Sequence, residues 1–185
     1  MHTAICKLKG ITPYSQSRHV EEPKLDREQP DDYEKRTWRA RMHYTKDGEV
    51  YIPAMAFKNA LSSAAKYMSE KIKGKGNATY TKKFEAGVLV LANAPLGINK
   101  DSVEGEALFV PVDGVRGGGK RVTRIFPCIT DWKCEVTFTV VDDIITEEIF
   151  KRHLETAGSL IGIGRFRPQS NGFYGRFSVD SVKWK

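Results

Sequence analysis

Glycines, arginines and aromatics are packed together over residues 162–177, Gly-Ile-Gly-Arg-Phe-Arg-Pro-Gln-Ser-Asn-Gly-Phe-Tyr-Gly-Arg-Phe. Glycine lets a backbone turn sharply or lie against a ligand. Arginine takes phosphates with a planar fork, and aromatic rings stack on bases. The same stretch also fits a helix end, a turn and an edge strand with solvated arginines. Further cations stand near predicted turns, hairpins or helix starts: Arg18, Arg39, Arg41, Lys58, Arg116, Lys120, Arg121 and Arg124, beside Arg165, Arg167 and Arg176 of the glycine-rich run, which also holds Asn171. Tyr14, Trp38, Phe166, Phe173 and Tyr174 are interleaved with them, Trp38 and Phe177 being expected in the core. Cations that track a backbone and aromatics that stack hold single strands with little sequence preference.

Other chemistries fit less well. Residues 114–120, Gly-Val-Arg-Gly-Gly-Gly-Lys, match most of a phosphate-binding loop, but Arg121 stands where Ser or Thr would hold magnesium. The residues that follow read as extended, whereas that motif opens a helix, so nucleotide hydrolysis is rejected. Asp26, Asp31 and Asp32 lie in a charged stretch where carboxylates solubilise more often than they catalyse. No serine or cysteine has a sequence-evident base, and His19 and His43 read as bystanders. Cys6, Cys128 and Cys134 form no Cys-x-x-Cys pair and read as reduced thiols. The four histidines are scattered, so neither a zinc site nor another cofactor is expected.

The 185 residues carry 30 Lys and Arg against 23 Asp and Glu, a net charge of +7 that favours a polyanionic partner. No apolar run approaches a membrane span and residues 1–7 lack a signal-peptide layout, so a cytoplasmic protein without membrane contact is expected.

Residues 3–9 alternate as a first strand. Residues 14–36 are charged and proline-rich and read as a polar loop. Residues 37–53 read as a hairpin turning at Asp47-Gly48. After Pro53, apolar positions at helical spacing from Phe57 to Ile72 predict a helix closed by Gly74. A basic loop over 73–83 precedes a continuous apolar run over 86–92, read as a strand that is buried on both sides if it is central. Residues 93–106 read as loop, 107–126 as a projecting basic hairpin and 132–140 as a strand. Thr146 reads as the cap of a second helix and 173–182 as the last strand. One domain over 1–185 follows, with insertions at 14–36, 37–53 and 107–126. Its class is α+β, a ferredoxin-like (RRM-like) βαββαβ core in which two helices back an antiparallel sheet and basic hairpins are inserted.

Three blocks resemble the RAMP superfamily, the RNA-binding subunits of CRISPR effector complexes. Residues 47–61, Asp-Gly-Glu-Val-Tyr-Ile-Pro-Ala-Met-Ala-Phe-Lys-Asn-Ala-Leu, resemble the block Gly-x-x-Tyr-Ile-Pro-Gly-Ser-Ser-Leu-Lys-Gly-x-Leu/Met-Arg that opens the first helix of that family. Residues 8–13, Leu-Lys-Gly-Ile-Thr-Pro, resemble its first strand and exit, and Gly172-Phe-Tyr-Gly-Arg176 stands for its Gly-Tyr-Gly-Arg. Ala54, Met55, Ala56 and Asn59 depart from the pattern, whereas Lys58 retains its lysine. The resemblance implies a non-catalytic protein that grips guide RNA, with single-stranded DNA as a second candidate ligand. It also implies assembly along that RNA with copies of itself and other effector subunits. Basic residues would take phosphates, and the 107–126 hairpin would wedge between bases as a thumb. The family's target-cleaving subunits carry an aspartate in the loop after the first strand, but the flanking motif is absent around Asp31 and Asp32. An endoribonuclease of the same superfamily, and a phage- or mobile-element-encoded mimic that inserts into an effector complex, are the alternatives.

Overall fold

The structure is a computed structural model that describes every residue except 113, 114, 116 and 118. In chain order its elements are β1 (His2–Gly10), β2 (Tyr14–Ser15), α1 (Pro30–Thr37), β3 (Glu49–Ile52), α2 (Ala54–Met68), α3 (Thr81–Gly87), β4 (Val88–Val90), β5 (Ala94–Asn99), β6 (Glu104–Pro111), β7 (Arg121–Ile129), β8 (Lys133–Val140), α4 (Glu147–Thr156) and β9 (Phe177–Trp184). Strands β4-β8-β1-β9 form a four-stranded antiparallel sheet, β2-β7-β6 a second sheet, and β3-β5 a ribbon. This is an α+β fold of antiparallel sheets and helices.

Strict alternation builds the main core. Ala4, Cys6 and Leu8 of β1 stand opposite Phe138, Val136 and Cys134 of β8, all buried. Intervening Glu135 and Thr137 are exposed, leaving the sheet's other face to solvent. The inner face is covered by Phe57, Leu61 and Ala64 of α2 and by Phe150 and Leu154 of α4, with Phe138 and Phe150 edge to face at 5.2 Å. Thr146 caps α4 as expected, its hydroxyl accepting from the Ile149 amide, and Glu147 and Glu148 complement the helix dipole.

The first strand, both long helices, the β6–β7 hairpin and the last two strands lie where the sequence puts them, with shifted ends. Other expectations need correction. The supposed polar loop over 14–36 contains β2 and most of α1. Pro30 opens that helix, Asp31 and Asp32 face its positive end, and Lys35 and Arg36 face its negative end. The 37–53 hairpin survives only at its tip, where Tyr44 bridges Val50 around Gly48 at φ 85°. Trp38–Arg41 is a 3₁₀ turn, because burial there follows Trp38, Arg41 and Met42 at helical spacing. Helix α2 stops at Met68, where Ser69 takes a left-handed conformation, short of Gly74. The run over 86–92 is not a central strand: β4 has three residues at the sheet edge, with Leu89 and Leu91 exposed. The loop expected over 93–106 holds β5, and residues 173–176 lie outside the last strand.

Candidate nucleic-acid interface

The glycine-rich run leaves a π-helical turn, Ala157–Ile161, at the end of α4. It needs its glycines. Gly162, Gly164 and Gly175 adopt φ of 72°, 77° and 76°, and a Cβ on Gly172 or Gly175 would overlap the carbonyl of Phe166 or Ile163. Backbone bonds then sew the loop to the exit of β1. Ile11 N donates to Arg176 O at 2.8 Å, Gly175 N to Pro13 O at 2.8 Å and Arg165 N to Ser15 O at 2.9 Å.

Arg165 has an unusual setting. Its guanidinium lies 3.1 Å from the centroid of Phe126 on β7 and 3.9 Å from that of Phe166. Phe166 itself sits at φ 49°, a costly conformation for a non-glycine residue. Burial, reinforced by nearby Arg41, pulls the Arg165 pKa down to about 10, against the opposing influence of Tyr174 and Glu106. It stays charged at neutral pH. Its Nη1 is buried with no hydrogen-bond partner among the described residues. Stacking of this kind occupies the faces of the guanidinium and leaves its edge donors for an anion. Beside it the Tyr174 hydroxyl donates to Glu106; burial first and that carboxylate second push the tyrosine pKa up to about 12.

A cleft of about 490 Å³ opens on this loop. Its walls come from Tyr14 and Gln16 after β1, from Pro53, Met55, Ala56 and Asn59 at the start of α2, and from Gly162, Gly164, Arg165 and Arg167. His43 completes the rim. Three stretches far apart in sequence thus meet around one concavity with a cationic wall. Met55, 57% exposed, offers apolar surface there, and Phe166, 46% exposed, stands between two lining residues in sequence without lining the cleft itself. Burial and then the charge of Arg18 lower the His43 pKa, so its imidazole is neutral at pH 7.

The fold is similar to that of a chain in the cryo-EM structure of the Type III-B Cmr-beta bound to cognate target RNA, with a TM-score of 0.55 and 13% identity. That likeness covers 99% of this chain and 60% of that one, so this chain spans less than two thirds of its length. The crystal structure of Cmr6 from Pyrococcus furiosus is also similar, with a TM-score of 0.51, 16% identity, and 97% and 99% of the two chains covered. The likeness is one of fold. No family model and no curated protein matches the chain.

The predicted cations divide sharply. Arg165 and Arg167 line the cleft; Arg167 also bonds weakly to Gln169 and the Gly164 carbonyl, at 3.3 and 3.5 Å. Arg18 is exposed and influences His43 on the rim. Asn171 is exposed in a left-handed turn of the glycine-rich run, and Arg176 donates to Ser159 O at 3.1 Å. Arg39 is exposed and stacks on Trp38 at 4.3 Å, and Lys120 is exposed at the hairpin tip. Arg121 and Arg124, three apart on β7, stand on opposite faces of the hairpin. Arg116 lies outside the described residues.

Two predicted contacts require correction. Arg41 is buried, binding both Glu34 oxygens at 2.5 and 3.0 Å and the Ile125 carbonyl at 2.8 Å, so three of its five donors are spent inside the protein. Lys58 gives all three of its protons to Ser62 Oγ and to the carbonyls of Phe84 and Glu85, at 3.1, 2.7 and 2.8 Å, and so caps α3. Tyr14 is also buried, against Trp132, and offers no stacking surface.

Sequence reasoning missed Gln16, whose side chain accepts from the His43 amide and donates to Tyr51 O at 2.9 Å, fixing one wall of the cleft. It missed Phe126 and Glu106 too, because their roles arise only when β6 and β7 fold against the glycine-rich loop. Asp31 and Asp32 sit exposed on α1 and are not among the residues lining the cleft. Among the described residues no three His, Cys, Asp or Glu side chains are grouped to hold a metal ion. No helix there is long and apolar enough to cross a membrane.

Proposed function

We propose that this chain is a non-catalytic, RAMP-type protein that holds single-stranded RNA in the cleft beside its glycine-rich loop. It would assemble along a guide RNA with copies of itself and with other effector subunits. We read β1-α2-β4 and β8-α4-β9 as the two halves of a ferredoxin-like βαββαβ core, and the β6–β7 hairpin as its thumb. One observation carries the reading: the exit of β1, the start of α2 and the Gly-x-Tyr-Gly-Arg stretch, the three blocks that resemble the family, meet at or beside the cleft. The likeness in fold to Cmr-beta and Cmr6 supports it. Within the cleft Arg165 and Arg167 would take phosphates, and exposed Phe166, outside the lining, would receive a base that leaves the cleft. Fluorescence anisotropy with a labelled oligouridylate of about 20 nucleotides, and with its duplex, tests this. Tighter binding of the single strand, weakened about tenfold or more between 50 and 200 mM salt and by Arg167→Glu, is expected. A protein that retains no RNA at low salt would refute the reading.

His43 supports a second reading, an endoribonuclease. It is a neutral imidazole on the rim of the cleft, a state in which it can accept a proton. Cleavage of labelled RNA, with or without magnesium, that disappears in His43→Ala would favour this reading over the first.

A further inference from the structure

A further basic stretch lies elsewhere. Residues 66–83 hold six lysines and one glutamate, a surplus of five positive charges against seven for the whole chain. Three of these lysines have carboxylate partners: Lys66 and Lys82 lie 2.8 and 3.6 Å from Glu85, and Lys83 lies 3.0 Å from Asp142. The one glutamate, Glu70, is itself paired with Arg152. Lys71, Lys73 and Lys75 are exposed, and none lies within ion-pair distance of a carboxylate among the described residues; the Lys71 ammonium donates to Asn77 Oδ1, at 3.0 Å.

These three cations are held on a folded turn. Ile72 is buried as its anchor, Ile72 N bonds to Ala78 O at 2.8 Å, Lys75 N to Ile72 O at 3.1 Å and Tyr80 N to Glu70 O at 3.0 Å. Gly74 and Gly76, at φ 77° and 59°, allow the chain to reverse between the lysines. Tyr67, 66% exposed in the last turn of α2, stands next to this turn in sequence. The cleft is lined by α2 from Met55 to Ser63, and the lysine turn follows the C-terminal end of that helix. The last five residues of the helix, about 8 Å of its axis, run from Ser63 to its end at Met68.

We infer that the lysine turn, with Tyr67, is a second contact for the phosphate backbone of single-stranded RNA. This surface is separate from the cleft and does not depend on it. Protein interfaces concentrate their binding on arginine and aromatic anchors and are depleted in lysine. Residues 69–79 present no arginine and no exposed large apolar side chain. Ammonium groups act as point charges that donate to phosphate oxygens from any direction, and the exposed Tyr67 ring gives a base a surface to stack on.

Anisotropy with the labelled oligouridylate of about 20 nucleotides tests this in three variants: Lys71→Gln/Lys73→Gln/Lys75→Gln, Arg167→Glu, and the two combined. The triple lysine variant should bind about five- to tenfold more weakly at low salt, with the salt slope reduced by about two. The combined variant should lose the binding that Arg167→Glu retains. Unchanged affinity and slope in the triple variant overturn the inference, while loss on Arg167→Glu alone leaves the cleft reading standing. Loss confined to the lysine variant upholds the turn and refutes the cleft. Displacement of the RNA by polyglutamate at equal charge concentration would point to an acidic protein partner and also overturn it. The substituted lysines are exposed and Arg167 is half-buried, so an unchanged unfolding midpoint is required to verify the fold in every arm.

Discussion

Arg165 and His153 show two ways in which a buried nitrogen shapes this molecule. Arg165 keeps its charge, because two aromatic faces replace part of its lost hydration. His153 gives its charge up. It is fully buried, stacked 4.3 Å from Phe84, and its Nδ1 lies 2.8 Å from the Ile149 carbonyl, which makes Nδ1 the protonated nitrogen. Its Nε2 is buried with no partner among the described residues, and desolvation lowers its pKa below 6.5. The unfolded chain therefore binds a proton that the folded one refuses. Stability is complete above about pH 6.5 and falls as the pH drops toward the folded pKa, by at most about 1.4 kcal/mol per pH unit for this group. His43, also lowered, adds to the same slope. Urea unfolding from pH 5 to 7.5 should show this loss, and His153→Phe should remove part of it. A variant that keeps the full slope would place the titration elsewhere.

Among the elements, α1 depends on a single carboxylate. Glu34 is buried and takes both Arg41 donors as well as the Ile125 amide, at 2.6 Å, and Arg41 returns a bond to the Ile125 carbonyl. This joins α1 and its 3₁₀ extension to β7. Removing one partner strands a buried charge, so Glu34→Ala should cost about 3–5 kcal/mol. Glu34→Leu with Arg41→Met should recover a good part of that loss, short of the bond to the Ile125 amide. Urea midpoints of both variants measure the difference, and equal losses would show that the pair is not the join. The same region marks the limit of legibility. Strands β1 and β8 and helices α2 and α4 could be read because one period runs along each and one face of each is buried. Helix α1 could not: its eight residues have no apolar stripe, and only Pro30 and the charge order from Asp31 to Arg36 signal it. The alternation from Trp38 to Tyr44 misled for a related reason, since Arg41 is buried by an ion pair that no local pattern encodes. In the site, the glycine-rich loop was legible from composition. Lys58 matched a motif yet turned inward, because the α3 carbonyls that receive it come from residues about 26 positions later.

At the scale of the whole molecule, the cleft exists because the two ends of the chain close on each other. Residues 11–16 lie between the glycine-rich loop, through Arg176, Pro13 and Ser15, and the tip of the former hairpin, through Gln16. Binding and stability should therefore respond together. A ligand that binds only the folded state stabilises it by mass action, by about 2.7 kcal/mol at a hundredfold excess over Kd. Saturating oligouridylate should accordingly raise the melting temperature of the protein. Gly175→Ala attacks the closure itself, since the new methyl would overlap the Ile163 carbonyl at a backbone φ of 76°. It should cost about 2–4 kcal/mol of stability and weaken RNA binding in the same step. Arg167→Gln, which makes only weak bonds within the protein, should weaken binding while the free protein melts as before. Thermal melts of the three proteins with and without oligouridylate separate these effects. A Gly175→Ala protein that melts lower yet binds RNA with undiminished affinity would show that the closure of residues 11–16 on the glycine-rich loop holds the fold but not the RNA site.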